Sequence, residues 1–270
     1  MQHSLSITFM GNFCALFISN TGQDATALPF DDKRWGRPIV KRLLIYFAIN
    51  MGKPLTRDLI LDDLWHGSAL DTAEGSFKTV FSALRQVLEP ELLPKASSRF
   101  FFVNQQNYIF NVGNDPAVAR TDLATFKSVV ETEMRLSAAH DATMPSTALL
   151  DMLGTWQLIA TEVASEPWAI EANERTRALF VQACLHTANA FADLARPADS
   201  GHWAERATQA APWSEEAWHM LIRARARTGN TAAALRTCDE ATTALQRELG
   251  APPSSLLRWL AERLRAGQVI

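Results

Sequence analysis

The spacing of apolar residues changes along this chain, and the order of the changes restricts the fold. Two short runs near the start, LSITF at 5–9 and FCALFI at 13–18, are β-prone and bounded by turn residues. Helical spacing follows, and RFFFVNQQNYIFNV at 99–112 returns to two β-rich runs around NQQN. From Asp122 onward the spacing is helical throughout. A mixed α/β part is therefore expected to precede an all-helical part.

Three amphipathic helices are predicted between the two β-rich regions. The first lies in RPIVKRLLIYFAINMG, and the second begins after Thr56, a residue type that caps helices well. The third, at 71–89, ends before Pro90, and its apolar residues recur at the spacing of one helix face. That face consists of Phe77, Val80, Phe81, Leu84, Val87 and Leu88, of which Phe81 and Leu84 are expected to be buried. Strands, three helices and a hairpin at 99–111 follow the order of a winged-helix domain.

The second half is predicted to be a separate helical domain. Residues 112–122 have the composition of a linker, so the predicted domains are 1–115 and 120–270. Gly201 and Gly229 each open a similar helix, and their separation is close to the period of tetratricopeptide-like helix pairs. An irregular helical bundle is the alternative. The predicted fold class is an α+β N-terminal winged helix followed by an all-α tetratricopeptide-like helical domain.

Sequence patterns typical of catalytic and metal-binding sites are absent. The six His residues show no HExxH spacing, and the chain contains neither GxxxxGK[ST] nor GxGxxG. We therefore expect no enzyme activity, no cofactor and no metal. Cys14, Cys184 and Cys238 form no CxxC pair, no apolar run approaches the ~20 residues of a membrane span, and no secretory signal is evident. These features predict a cytoplasmic protein with reduced thiols and no membrane contact.

The charge distribution argues against a broadly basic nucleic-acid-binding surface. The net charge is −3, and residues 1–115 contain eleven basic and eleven acidic side chains. Five of the basic residues lie in KRWGRPIVKR at 33–42. This cluster is either a solvated helix start or a source of phosphate contacts.

Two groups of motifs resemble a known family. GKPLTRDLILDDLWHG, FKTVFSALRQVLEP and YIFNV resemble the OmpR-type winged-helix domain, in the version of the Streptomyces antibiotic regulatory proteins. SEPWAIEANERTRALFVQA and WSEEAWHMLIRARARTGNTAAALRTCDEATTALQRELGAPPSS resemble the bacterial transcriptional activator domain of the same proteins. The resemblance covers nearly the whole chain. It implies a DNA-binding transcriptional activator whose third helix enters the major groove and whose hairpin acts as a wing.

The resemblance also implies which residues meet DNA. By position, Thr79, Ser82, Ala83 and Arg85 face the groove, with Lys78 nearby. From its place on the polar face of the helix, Arg85 is predicted to contact the DNA backbone or a guanine edge. Stronger DNA binders of this type often carry two arginines where this chain has Ser82 and Ala83. Hydroxyl, amide and cationic side chains can bind phosphates or base edges. The candidate DNA-binding residues are Ser76, Lys78, Thr79, Ser82, Arg85, Arg99, Gln105, Gln106, Arg37 and Lys41.

Partners beyond promoter DNA are predicted for the helical half. RNA polymerase or another regulator is a candidate, and so is a homodimer through SSLLRWLAERLRAG, whose expected stripe is Leu256, Leu257, Leu260 and Leu264. The Trp residues of this half either fill a core or line a ligand pocket. The neutral first part and the missing arginines support an alternative function, a protein-binding regulatory adaptor whose winged helix has weak or lost DNA affinity.

Overall fold

The computed structural model describes residues 3–19, 27–29, 35–93, 96–139 and 144–268. The chain forms two compact units. Unit 1 consists of Met1–Thr125 and Gln157–Asn173, and unit 2 of Phe126–Trp156 and Glu174–Ile270. The sequence predicts two consecutive domains, whereas these compact units interleave along the chain.

Unit 1 begins with a four-stranded sheet. Strands β1 (His3–Thr8) and β2 (Cys14–Ser19) pair antiparallel, and β3 (Ala27–Pro29) pairs with β2. On the other side of β1 lies β7 (Ala119–Thr121), which runs parallel to it. The predicted linker at 112–122 is therefore wrong, because it contains a strand of this sheet. Ala119 and Thr121 are buried and Arg120 is exposed, which is the period of two expected of a strand.

Three helices and a hairpin follow in the predicted order. They are α1 (Pro38–Ile49), β4 (Leu55–Thr56), α2 (Arg57–Leu64), α3 (Leu70–Leu88), β5 (Phe101–Asn104) and β6 (Asn107–Phe110). The hairpin strand β6 also pairs with β4, which makes a second sheet of order β4-β6-β5. Thr56 caps α2 as predicted, since its Oγ1 accepts from the Leu59 amide at 3.3 Å.

Gly52 follows α1 and brings the chain against the end of the hairpin. Its φ is +79°, and its amide donates to the Phe110 carbonyl at 2.8 Å. A Cβ at this position would lie 2.4 Å from the Asn114 side-chain oxygen. The positive φ therefore favours glycine here, and any other residue would also make the Asn114 side chain move.

The predicted inner face of α3 is confirmed. All six of its apolar side chains, including Phe81 and Leu84, are buried in the core of unit 1. Phe77 and Phe81 each meet the Tyr108 ring edge-on at 5.1 Å between centroids, and Phe77 also meets Trp65 at 5.8 Å. These contacts join α3 to α2 and to the hairpin.

Residues 157–173 complete unit 1, although most of the chain around them belongs to unit 2. The Ala160 amide donates to the Phe9 carbonyl at 2.6 Å, and the Gly11 amide donates to the Leu158 carbonyl at 2.7 Å. Trp168 is 7% exposed, and its ring meets the Tyr46 ring edge-on at 5.2 Å. The segment is therefore part of the core of unit 1.

Asp122 fastens the start of the next helix to the end of β1. One of its carboxylate oxygens accepts from the amides of Phe9 and Met10, at 2.9 and 2.7 Å. Burial raises the pKa of Asp122, and these two hydrogen bonds oppose the rise.

Helices form most of the remaining chain. They are α4 (Asp122–Ala139), α5 (Thr147–Thr155), α6 (Pro167–Asp193), α7 (Pro197–Ala210), α8 (Glu215–Arg227), α9 (Thr231–Leu249) and α10 (Ser255–Arg265). Helix α7 packs on α8, α8 on α9, and α9 on α10. Across the described residues, no helix is both long and apolar enough to cross a membrane.

Two details of the helical half differ from the prediction. Gly201 does not open a helix but lies inside α7, where a Cβ would sit 3.4 Å from the Cβ of Ala224 in α8. In the final helix, Leu257, Leu260 and Leu264 are buried while Leu256 is 49% exposed, so the four leucines do not form one exposed stripe.

Candidate nucleic-acid interface

The exposed face of α3 brings together three of the predicted DNA-binding residues. Because the apolar stripe is buried, the residues on the opposite side of the helix, which recur every three or four positions, face solvent. The exposed residues in its central turns are Gly75, Lys78, Thr79, Ser82 and Gln86. Lys78 pairs with Glu74 at 3.7 Å, and the Thr79 hydroxyl donates to the Gly75 carbonyl at 3.0 Å.

Ser76, Ala83 and Arg85 lie at the border of this face and are half-buried. The Ser76 hydroxyl accepts from the Trp65 indole at 3.0 Å, so this residue holds α3 against the end of α2. Ala83 packs against the core.

Arg85 fastens the segment that precedes the hairpin. Its Nη2 donates to the Ala96 carbonyl at 2.8 Å, and its Nε is buried without a hydrogen-bond partner among the described residues. A guanidinium has five N–H donors, so the bond to Ala96 leaves donors for a phosphate or a base. A DNA contact by Arg85 stays a prediction.

The tip of the hairpin presents uncharged amides to solvent. Gln105 and Gln106 form the turn between Asn104 and Asn107, and all four are exposed. Gln105 has a φ of +52°, a left-handed conformation that side chains other than Gly, Asn and Asp adopt uncommonly. The Gln106 carbonyl accepts from the Arg57 amide at 2.8 Å, which ties the tip to the start of α2.

Arg99 lies at the base of the hairpin rather than at its tip. Its Nη2 donates to the Ala117 carbonyl at 2.9 Å, and its guanidinium lies 5.7 Å from the centre of the Phe100 ring. The side chain is exposed, so it can still meet a phosphate along the edge of the domain.

The basic cluster at 33–42 is partly neutralised within unit 1. Lys41 Nζ lies 2.6 Å from Glu162 Oε1, and Arg42 Nη1 lies 2.8 Å from Glu166 Oε1. Arg37, which precedes α1, is exposed. Lys33 and Arg34 lie outside the described residues. The ion pair reduces the charge that Lys41 can offer to a phosphate.

Sequence reasoning missed Glu162, Glu166 and Trp168 as residues that shape this unit. Glu162 and Glu166 are separated from their cationic partners by 121 and 124 residues, a distance at which local spacing carries no signal. The only signal in the sequence is the opposite charge of the basic cluster at 33–42 and of the later segment that contains Glu162 and Glu166. Within the described part of the chain, no group of three or more His, Cys, Asp or Glu side chains is arranged to hold a metal.

The family follows from the second half of the chain. A sequence profile of the bacterial transcriptional activator domain (BTAD) matches residues 121–265, more than half of the chain. The chain belongs to the BTAD family. The resemblance to the Streptomyces antibiotic regulatory proteins is confirmed for this part, and it identifies a transcriptional regulator. The BTAD match includes the segment 157–173 that lies in unit 1.

One solved structure extends the comparison of the fold to the whole chain. It is Mycobacterium tuberculosis EmbR in complex with a low-affinity phosphopeptide, with a TM-score of 0.78 and 21% identity over 99% of this chain. At this identity the likeness shows the fold alone, a mostly helical chain with a small N-terminal β region. This chain spans 66% of the length of that solved chain. No curated protein sequence is significantly similar to the chain described in this structure.

Proposed function

We propose that this BTAD protein is a cytoplasmic, DNA-binding transcriptional activator whose unit 1 is an OmpR-type winged helix. Helix α3 enters the major groove, and the hairpin of β5 and β6 lies along the neighbouring backbone as the wing. The observation that carries the proposal is the exposed polar face of α3, with Lys78, Thr79 and Ser82 opposite a fully buried stripe. The function is recognition, without catalysis, cofactor or metal.

The chemistry of this face favours contacts to bases over contacts to phosphates. The hydroxyls of Thr79 and Ser82 can donate to or accept from base edges, and the Gln105 and Gln106 amides can do the same at the wing. Lys78 is the exposed cation in the central turns of α3. Sequence-independent affinity depends on neutralised phosphates, so a face with few cations is expected to bind DNA weakly in general.

In the helical half, the proposal is a tetratricopeptide-like array that contacts RNA polymerase or another regulator. Helices α7 and α9 begin at Pro197 and Thr231, 34 residues apart, which is the tetratricopeptide period. Leu256 and Trp259 are exposed at the end of this array on α10. We propose them, in place of the four-leucine stripe, as the candidate homodimer contact.

The adaptor function is retained as a second candidate because of the ion pairs of Lys41 and Arg42. These pairs withdraw two of the positive charges on which DNA affinity would depend. In this alternative the winged helix works through protein contacts.

We expect DNA binding by the full chain to depend only moderately on salt. Four phosphate contacts per chain would give a slope of log K against log salt of about −3.6. With Lys41 held by Glu162, contacts by Lys78, Arg85 and Arg99 correspond to a slope of about −2.7. The measurement is a titration of promoter DNA from the protein's own operon at several salt concentrations. The oligomeric state must be measured in the same samples, because a dimer on two half-sites doubles the slope.

A complete lack of salt-dependent binding in this titration would reject the activator function in favour of the adaptor. A slope at or beyond about −3.6 for a proven monomer would mean a fourth phosphate contact, from the exposed Arg37 or from Lys41 released by Glu162.

Adding one cation to α3 is expected to strengthen DNA binding. Ser82 is exposed in the centre of the polar face, so Ser82→Arg places a guanidinium where stronger DNA binders of this type carry one. We expect an affinity gain of about tenfold and a slope steeper by about 0.9. Gln246→Arg, at an exposed position of α9 in unit 2, is the matched control for the change in net charge. Equal gains in both variants would mean that α3 is not the DNA-binding helix.

A further inference from the structure

Unit 2 contains a groove between α6 and α8 that DNA recognition does not use. It consists of two cavities, of about 760 and 440 Å³, and Asn189 lines both. The larger cavity lies along α6 from Glu174 to Asn189, and the smaller continues to Asp193 and to Arg227 of α8. All of these residues belong to unit 2, and none of them is a candidate DNA-binding residue.

One end of the groove combines apolar side chains with an exposed tryptophan, and Glu174, Arg177 and Glu216 also line it. Its floor includes Met134, Val181 and Leu185, and Trp213 lies on the rim with 40% of its surface exposed. Trp203 and Trp218 are buried and fill the core, so Trp213 differs from its neighbours. An exposed indole beside an apolar floor is suited to hold an aliphatic or aromatic side chain.

The middle of the groove carries two exposed side-chain amides. Gln182 and Asn189 are both exposed on α6, two helical turns or about 10 Å apart. A primary amide both donates and accepts hydrogen bonds, so such side chains can pair with the N–H and C=O groups of a peptide backbone.

The other end of the groove carries two cations that lack an internal partner. Arg223 and Arg227 are one turn apart on α8, and neither forms an ion pair within the described part of the chain. Several other arginines of unit 2 form ion pairs, Arg177 with Glu174, Arg196 with Asp199, and Arg225 with Glu205 and Glu240, whereas Arg236 and Arg258 have none among the described residues. Asp193 lines the same end, which leaves two guanidinium groups against one carboxylate. Guanidinium groups bind carboxylates with two parallel hydrogen bonds.

The distances set the spacing of the ligand. Leu185 and Asp193 are eight residues apart on α6, or about 12 Å, which an extended chain spans with about four residues. From Glu174 to Asp193 the groove follows α6 for about 28 Å, a length that fits an extended peptide better than a compact small molecule. Glu216 lines the end of the groove near Trp213, where its negative charge disfavours an acidic residue of the ligand.

We propose that this groove binds an extended acidic peptide segment of a partner protein. An apolar side chain of that segment lies against Trp213 and Leu185, and one or two carboxylates, about four residues away, pair with Arg223 and Arg227.

The test is selection of peptides on the immobilised full chain from a random dodecapeptide library displayed on phage. The selected peptides are expected to carry Asp or Glu three to five residues from a large apolar residue. A fluorescein-labelled synthetic copy of the peptide most enriched is then titrated with the full chain, and binding is followed by fluorescence anisotropy. The double variant Arg223→Gln with Arg227→Gln is expected to weaken peptide binding at least tenfold. The carboxylates of the peptide lose their cationic partners, while each glutamine retains a polar side chain and part of the aliphatic chain of arginine.

The matched control removes the same charge outside the groove. Arg236→Gln with Arg258→Gln, at exposed positions of α9 and α10, is expected to change the affinity less than twofold. Replacing the acidic residues of the peptide by Gln must also weaken its binding to the unaltered chain at least tenfold, and this result does not depend on how any variant folds. The proposal is overturned if the selected peptides lack acidic residues, or if both double variants lose the same affinity for the peptide. It is also overturned if the peptide with Gln in place of its acidic residues binds as tightly as the original. DNA affinity measured on the same variants is expected to stay unchanged, which separates this test from that of the DNA-binding function.

Discussion

Trp168→Ala is expected to lower the stability of unit 1 by about 3–5 kcal/mol, the usual cost of truncating a buried aromatic side chain. Trp168 is 7% exposed and packs edge-on against Tyr46 of α1. Its indole N–H is buried without a hydrogen-bond partner among the described residues, so the loss is one of packing alone. Tyr46 in turn donates a hydrogen bond to Asp63 of α2 at 2.5 Å, which extends the disturbance to a second helix.

The measurement is chemical denaturation followed by far-ultraviolet circular dichroism, with hydrogen exchange of the α1 amides to assign the loss to unit 1. Hydrogen exchange is needed because a chain with two compact units does not have to unfold in one step. Trp259→Ala, at a half-exposed position of α10, is the matched control and is expected to cost less than about 1 kcal/mol. If the α1 amides of both variants exchange alike, Trp168 is not part of the core that supports α1.

The same packing predicts the behaviour of a truncated chain. A fragment that ends at residue 125 lacks Ile159, Val163 and Trp168, all buried in the core of unit 1. Deleting residues 120–270 to ask whether the helical half assists DNA binding would therefore also damage the DNA-binding unit. Point substitutions in unit 2, such as those in the groove, separate the two effects.

Phe77→Ala is expected to have an effect of similar size, about 3–5 kcal/mol, and to weaken DNA binding as well. Phe77 is 1% exposed and meets Trp65, Phe81 and Tyr108 at centroid distances of 5.8, 5.7 and 5.1 Å. Such ring pairs contribute beyond the area they bury. Because they join α3 to α2 and to the hairpin, removing Phe77 loosens the orientation of the polar face of α3 relative to the wing.

Denaturation and DNA titration of the same samples test this prediction. Phe102→Ala, at an exposed position of β5, serves as the control for removing a phenyl ring and is expected to change stability by less than about 1 kcal/mol. If Phe77→Ala lowers stability while DNA affinity at a temperature below its melting point stays the same, the mutual orientation of α3 and the hairpin does not matter for binding.

Local patterns in the sequence predicted much of unit 1. The burial of Phe77, Phe81 and Leu84 follows from helical spacing, and the start of α2 follows from the capping chemistry of Thr56. The order of strands, helices and hairpin could be predicted for the same reason, since each element carries its own period and its own ends.

Contacts between distant parts of the chain could not be predicted in this way. Nothing near Glu162 or Trp168 indicates that they pack against α1, more than a hundred residues earlier. The final helix shows a second limit. Adjacent positions 256 and 257 differ by about 100° around a helix, and packing against α8 and α9 decides that Leu257 is buried while Leu256 is exposed. For the candidate site, the sequence placed Lys78, Thr79 and Ser82 on one face, but it could not show that Lys41 is paired with Glu162.

The interleaving of the two units has a consequence for how such regulators can be recombined. The chain passes from one unit to the other after Thr125, after Trp156 and after Asn173, and the last passage lies inside the continuous helix α6. A gene fusion that exchanges the helical half of one regulator for that of another at a single crossover would insert a foreign 157–173 segment into the native N-terminal core. A working chimera must therefore keep this segment with the N-terminal half from which it comes, as a transplanted insert, and new pairings of the halves require at least three junctions rather than one.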